Sequence, residues 1–431
     1  MGKQKKLLLL FLYWLVMISL IGCKKEKEQS IALDSLAENG IKKADVLKGC
    51  EIISNPLDYT SVREDQSYHF ETDDSHFAMT SGLVDAGTSM FYLKTSYLHY
   101  YNKETNKCGL LCSKPECTHS MGDSNSCNAS VPGYVGLAYA SGSLYTVDIN
   151  KINLVKIALD GAERTIVGEL CTVPEEEVTE RNEGSFSIEW IIHRGYIYYY
   201  YTLYSGTTED IYYLNGSNCL YRMPIDGSSG PECIMPFICE GHSEYTILKG
   251  YGSYVYMNIA EKGKNGGYLY RYNIESNKIE KLEALGNDIR GYTVKNKNIY
   301  YSYFNEPEKI YCYDESSGIS QLLFTVEEDE NHICISWIYS DEEHIYIKYS
   351  EENITKGMFM FDWYGNMISD ISLINSENGN FCGVSDECLY FLKMKDGENP
   401  WIQTRDFYTI PYYIEKTDLA DGAYEIHEAE N

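Results

Sequence analysis

A short aromatic strand recurs along most of this chain, and its period limits the folds open to the sequence. It reads Phe91-Tyr92, Leu144-Tyr145, Ile197-Tyr198, Val255-Tyr256, Ile299-Tyr300, Ile345-Tyr346 and Leu389-Tyr390, with steps of 53, 53, 58, 44, 46 and 44 residues between the tyrosines. Turn signals or polar clusters sit just before several copies, as in Ser141-Gly142-Ser143, Arg194-Gly195, Asn296-Lys297-Asn298 and Asp341-Glu342-Glu343. A second strand follows at Leu154–Ile157, Leu220–Met223, Leu269–Tyr272, Ile310–Tyr313 and Met358–Phe361, and two of these lead into Asp160-Gly161 and Asp226-Gly227. Units of about 40 to 50 residues, with room for about four strands and no helical segment between them, predict an all-β chain folded as a β-propeller. A sandwich array needs no aromatic pair at this period, and solenoid rungs are shorter. We therefore expect seven blades, near 76–128, 134–171, 184–238, 243–284, 288–326, 332–373 and 380–428. Composition agrees: 41 Tyr against 13 Phe, 5 Trp and 10 Pro favours strands.

The N-terminus reads as an export signal. Lys3, Lys5 and Lys6 precede an uncharged run from Leu7 that stops at Leu20-Ile21-Gly22-Cys23. The run is shorter than the roughly 20 apolar residues of a spanning helix, and its end matches the lipobox pattern. In that pattern, which resembles bacterial lipoproteins, residues 1–22 are a signal peptide, Cys23 takes the lipid, and the mature protein is held on the extracytoplasmic face of the cell membrane. Residues 23–49 read as a lipidated tether and 50–431 as the propeller, with Glu51-Ile52-Ile53 a candidate strand for pairing with the last blade. Removing residues 1–22 takes away three lysines and no acid, so the net charge of −28 becomes −31 over 409 residues. A body of that sign repels phosphate backbones, which argues against nucleic-acid partners.

The repeat resembles propellers of the YWTD and TolB types, and propeller lipoproteins of unknown function from Gram-positive anaerobes. The likeness covers most of residues 76–428 and rests on an Ile-Tyr strand followed by Leu-Tyr-x-x-x-x-Asp-Gly, complete at Leu220–Gly227. The YWTD tetrad itself is absent, so no receptor function is implied.

One cluster carries chemistry. Cys112-Ser113-Lys114-Pro115-Glu116-Cys117-Thr118-His119, followed by Cys127 and preceded by Cys108, has the spacing C-x4-C-x-H-x7-C. Cys112, Cys117, His119 and Cys127 form a donor set for a closed, structural zinc, with Pro115 turning the chain. Disulfides and free thiols are the alternatives, since exported proteins are oxidised. A Leu-Cys-x-x-Pro-x-Cys-x-His segment also looks like one recurring in the lipoproteins named above, which adds no role. The segment is expected to cross one propeller face, as a staple for a long loop or as the border of a recognition site.

Cys219, Cys312, Cys334 and Cys388 sit beside apolar strand residues and suit core packing. Cys382 with Cys388, or Cys233 with Cys239, are spaced for local bridges. Tyrosines should fill the space between blades, with those at strand ends left as platforms for sugar or peptide. The nine histidines are scattered, and neither a metalloprotease helix motif, a nucleophile elbow nor a phosphate loop is present. The expected function is a non-catalytic surface lipoprotein that binds an extracytoplasmic protein, peptide or glycan. The rival is a glycan hydrolase or lyase working through two carboxylates.

Overall fold

A computed structural model describes residues 82–94, 96–117, 127–171, 186–206, 211–213, 219–236, 248–260, 266–295, 298–326, 334–341, 343–351, 354–371, 380–385, 387–394, 408–419 and 425–428. The signal peptide, the tether with Cys23, the candidate strand at 51–53 and His119 lie outside the described residues.

Each repeat becomes an antiparallel meander of four strands, and seven follow one another at 83–110, 134–169, 186–236, 248–281, 289–325, 334–370 and 380–428. Every one falls within the limits expected from the repeat. The third carries an extra strand, Ile211–Tyr213, paired with the long second strand Tyr196–Gly206. The fourth and fifth are joined into one sheet by a single ladder pair, Gly267 with Ile289. The first strand of a blade contacts that of its neighbour at most junctions, the last blade with the first included, so the seven meanders close into a β-propeller.

The recurring tyrosine lies on the second strand of every blade. Tyr92, Tyr145, Tyr198, Tyr256, Tyr300, Tyr346 and Tyr390 are all less than 2% exposed. The strands singled out as followers in the sequence are third strands, such as Asn153–Ala158 and Lys309–Asp314. Two hairpins between first and second strands are tight because both central residues take positive φ: Ser141 and Gly142 at 48° and 73°, Arg194 and Gly195 at 48° and 77°. That geometry matches the twist of the paired strands.

The core is a series of layers between blades. Val84, Phe91 and Leu98 of the first blade pack on Leu137, Leu144 and Val155 of the second, and the same arrangement continues around the ring. The last layer joins Cys382, Cys388, Tyr390 and Leu392 to Leu83, Met90 and Tyr92. Each Val, Leu, Ile or Phe side chain so buried stabilises the ring by about 1.5–3 kcal/mol. All four strands of the last blade come from 380–428, its outermost being His427–Glu428. Among the described residues no helix is long and apolar enough to cross a membrane.

A cross-blade rule appears that the sequence reading missed. The residue directly after a third strand reaches back to the recurring tyrosine of the preceding blade. Lys103 Nζ donates to the Tyr390 hydroxyl at 3.3 Å, the Tyr256 hydroxyl donates to Glu315 at 3.3 Å, Trp363 packs on Tyr300 with ring centres 4.8 Å apart, and Lys416 Nζ lies 5.8 Å from the Tyr346 ring centre. Ile225 takes this position against the layer holding Tyr145, and Ile274 against the layer holding Tyr198.

Candidate metal centre and blade junctions

The connection from the first blade to the second, residues 111–133, is pinned at both of its described ends. Leu111 continues the ladder by donating from its backbone to Leu98 at 2.8 Å. Pro115 then sits inside a turn closed by Cys117 N–H on the Lys114 carbonyl at 3.1 Å, as its fixed φ favours. The returning stretch is tied to the start of the third strand and the loop before it: Leu98 donates to Ala129 and Val131 donates to Ser96, both at 2.8 Å. Asn128 Nδ2 donates to the Gly161 carbonyl at 2.8 Å and to Ala162 at 3.3 Å, while Arg164 donates to the Asn128 carbonyl. Gly161 belongs to the Asp-Gly turn of the second blade, with φ +69°, and a Cβ there would stand 2.5 Å from the Leu111 carbonyl oxygen. Only glycine satisfies both the conformation and the approach.

Within this frame the Sγ atoms of Cys112, Cys117 and Cys127 all lie within 4.8 Å of one another. All three are thiols; Cys127 is 5% exposed, and Cys112 and Cys117 are half-buried. Burial opposes ionisation of Cys112, but the N–H groups of Lys114 and Asn128 and the thiols of Cys127 and Cys117 outweigh it and draw its pKa below the usual thiol value. Burial pushes Cys127 up to about 11, with its proton directed at the neighbouring sulfurs. The structure therefore gathers three of the four residues expected from the sequence; the fourth, His119, lies outside the described residues. Cys108 goes elsewhere. It faces the other side of its strand and packs at the junction of the last and first blades.

Of the remaining cysteines, Cys312, Cys382 and Cys388 are buried thiols, so the pair 382/388 serves packing and not a bridge. Cys233 is disulfide-bonded.

Two buried carboxylates stand at successive junctions. Asp341, in the first hairpin of the sixth blade, accepts from the backbone N–H groups of Glu343 and His344 at 2.7 Å each, from the Tyr346 hydroxyl at 2.6 Å, and from Lys416 of the seventh blade. Burial opposes its ionisation, yet hydrogen bonding from His344 and the charge and hydrogen bond of Lys416 hold its pKa far below the ordinary carboxylate range. Asp85, at the end of the first blade's first strand, accepts from Tyr390 at 2.6 Å and faces Lys103 at 3.1 Å. Here burial prevails and its pKa is raised. A third carboxylate, Glu315, meets Arg271 of the blade before it at 2.6 Å.

No protein-family model matches this chain, and no curated protein matches its sequence. Among solved structures, a puromycin hydrolase complexed with PGG is 11% identical with a TM-score of 0.51, over 83% of this chain and 55% of the hydrolase. An oligogalacturonate lyase in complex with manganese gives 11% identity and a TM-score of 0.45 over 71% of this chain and 82% of the lyase. A nidogen/laminin complex gives 11% and 0.37 over 66% and 93%. This chain spans little more than half of the hydrolase. Likeness to the hydrolase at such identity shows a shared fold and leaves the hydrolase its own activity.

Proposed function

We propose that this chain is an exported lipoprotein, anchored through lipid on Cys23 and joined by residues 23–49 to a propeller that binds an extracytoplasmic protein, peptide or glycan without turning it over. The observation that carries the reading is the fate of three acids at the blade junctions. Asp341 and Glu315 are each paired with a cation across a blade junction, and Asp85 pairs with Lys103 of its own blade while accepting from Tyr390 across the closing one. Glycoside hydrolysis asks instead for two carboxyls flanking a substrate, one of them free to give up its proton. Exposed aromatic rings support binding: Trp337, on the first strand of the sixth blade, is 38% exposed and stacks with Tyr339 at 6.4 Å, and Tyr364, in the hairpin after the third strand, is 57% exposed. Flat apolar rings with a polar edge suit sugar and peptide contacts alike.

The test has two arms. Cys23→Ser should leave the precursor uncleaved at that bond and unlipidated; normally lipidated protein recovered from that variant overturns the anchor. Purified protein screened against cell-wall and host glycans and peptides should capture one ligand class stoichiometrically and leave it intact. Turnover without capture overturns the binding role and favours the hydrolase or lyase.

A further inference from the structure

We infer that Cys112, Cys117 and Cys127 form a thiolate site for zinc, and that the bound metal clamps the connection between the first and second blades. The inference stands apart from the binding role, which needs no metal.

Three features of the loop carry it. The first is donor chemistry: three sulfurs within 4.8 Å of one another are soft ligands suited to Zn(II), for which Zn–S bonds of about 2.3 Å imply sulfur separations of about 3.8 Å. A contraction of about 1 Å at most completes that face of a tetrahedron. The second is preorganisation. The turn at Pro115 sets Cys117 against Cys112, and the hydrogen bonds of Ala129 and Val131 to the first blade fix Cys127 from the other side. Ligands held by separate anchors lose little freedom when the metal enters. The third is placement. Asn128, next to Cys127, and Ser113, next to Cys112, both donate to the Gly161 carbonyl of the second blade, at 2.8 and 3.4 Å. A metal joining those cysteines therefore ties the first blade's loop to the second blade's turn.

Loading is a proton exchange. One Zn(II) replaces the three thiol protons, which pass to solvent, and no redox change is involved. The fourth tetrahedral position is open to water. Bound metal also withdraws the three sulfurs from the oxidants met outside the cytoplasm.

The experiment uses purified protein made in zinc-replete medium. Elemental analysis should find one zinc per chain, and thiol titration should show three cysteines masked until a strong chelator is added. Each of Cys112→Ser, Cys117→Ser and Cys127→Ser should lower zinc content at least tenfold, while Cys108→Ser, a strand cysteine of the same blade, keeps it. Cobalt in place of zinc should give a thiolate-to-metal charge-transfer band that needs no variant to fold. Zinc-free protein with these thiols titrating at once, or masked until a reductant is added, overturns the site. Retention of zinc by all three triad variants overturns it equally.

Discussion

The junction between the sixth and seventh blades and the junction that closes the ring are made of the same parts in different hands. Both bury a recurring tyrosine, and both bring a lysine from just after the third strand of the following blade. At the former, the carboxylate is Asp341 from the hairpin five residues before Tyr346. At the latter, the hairpin offers Ser385, five residues before Tyr390, and the carboxylate is Asp85 of the first blade. The hairpin N–H groups follow the hairpin residue. Those of Glu343 and His344 go to Asp341, whereas those of Glu387 and Cys388 go to the Ser385 hydroxyl at 3.3 and 3.1 Å. Asp341 is thus surrounded by donors and stays ionised, while Asp85 keeps fewer and is burdened by its burial. A buried charge is set less by its countercharge than by how many dipoles are turned toward it.

The largest effect should come from Asp341→Asn. It leaves Lys416, 11% exposed, without its countercharge, and the cost of an unpaired buried charge is about 3–5 kcal/mol. Urea melts should show that loss at neutral pH. The pH dependence has a definite sign: a pKa lowered by folding gives stability that is present above the unfolded value of 3.8 and is lost as pH falls toward the folded one. The variant should accordingly lose less stability than the parent on acidification. A neutral-pH loss under 1 kcal/mol would mean that Asp341 does not hold this junction.

Asp85→Asn should cost less, about 1–2 kcal/mol, because Lys103 is 18% exposed and the amide can still accept from Tyr390. Its acid response runs the other way. With a raised folded pKa, the contribution of Asp85 is full below 3.8 and is lost as pH rises through the folded value. Relative to parent, the variant should look worst in acid and better toward neutrality. Parallel pH profiles for the two variants would erase the distinction between the junctions.

How much of this was legible in the sequence follows from distance along the chain. The recurring tyrosine, its turns and the blade limits are local patterns, with strands alternating every two residues and Gly or Asx punctuating them. The cysteine loop was legible for the same reason, since Cys112 and Cys117 bracket one Pro115 turn. What failed was the side of the strand: spacing alone did not show that Cys108 faces the closing junction, and it left a Cys382–Cys388 bridge open although Cys388 was read correctly as a packing residue. The junction pairs were out of reach altogether. Tyr390 and Asp85 are 305 residues apart, and Lys416 and Asp341 are 75 apart. Even so, Asp341 and Ser385 precede their tyrosines by the same five residues, a signal visible once the hairpin is known to face the next blade.

The smallest effect, and the sharpest use of the comparison, is to move the carboxylate. Asp85→Ser alone should destabilise the closing junction by stripping Lys103 and Tyr390 of their acceptor. Adding Ser385→Asp places a carboxylate where Asp341 stands in the preceding blade, within reach of the Glu387 and Cys388 N–H groups and, across 3.2 Å in the parent, of the Tyr390 hydroxyl. The double variant should therefore return to within about 1 kcal/mol of the parent, with a coupling that a double-mutant cycle reads directly. Ser385→Asp in the presence of Asp85 should do the reverse, because two carboxylates would then compete for one tyrosine and one lysine. If the double variant is less stable than Asp85→Ser alone, the two hairpins are not interchangeable. The ring would then depend on Asp85 standing on the first blade, where it ties the beginning of the propeller to its end.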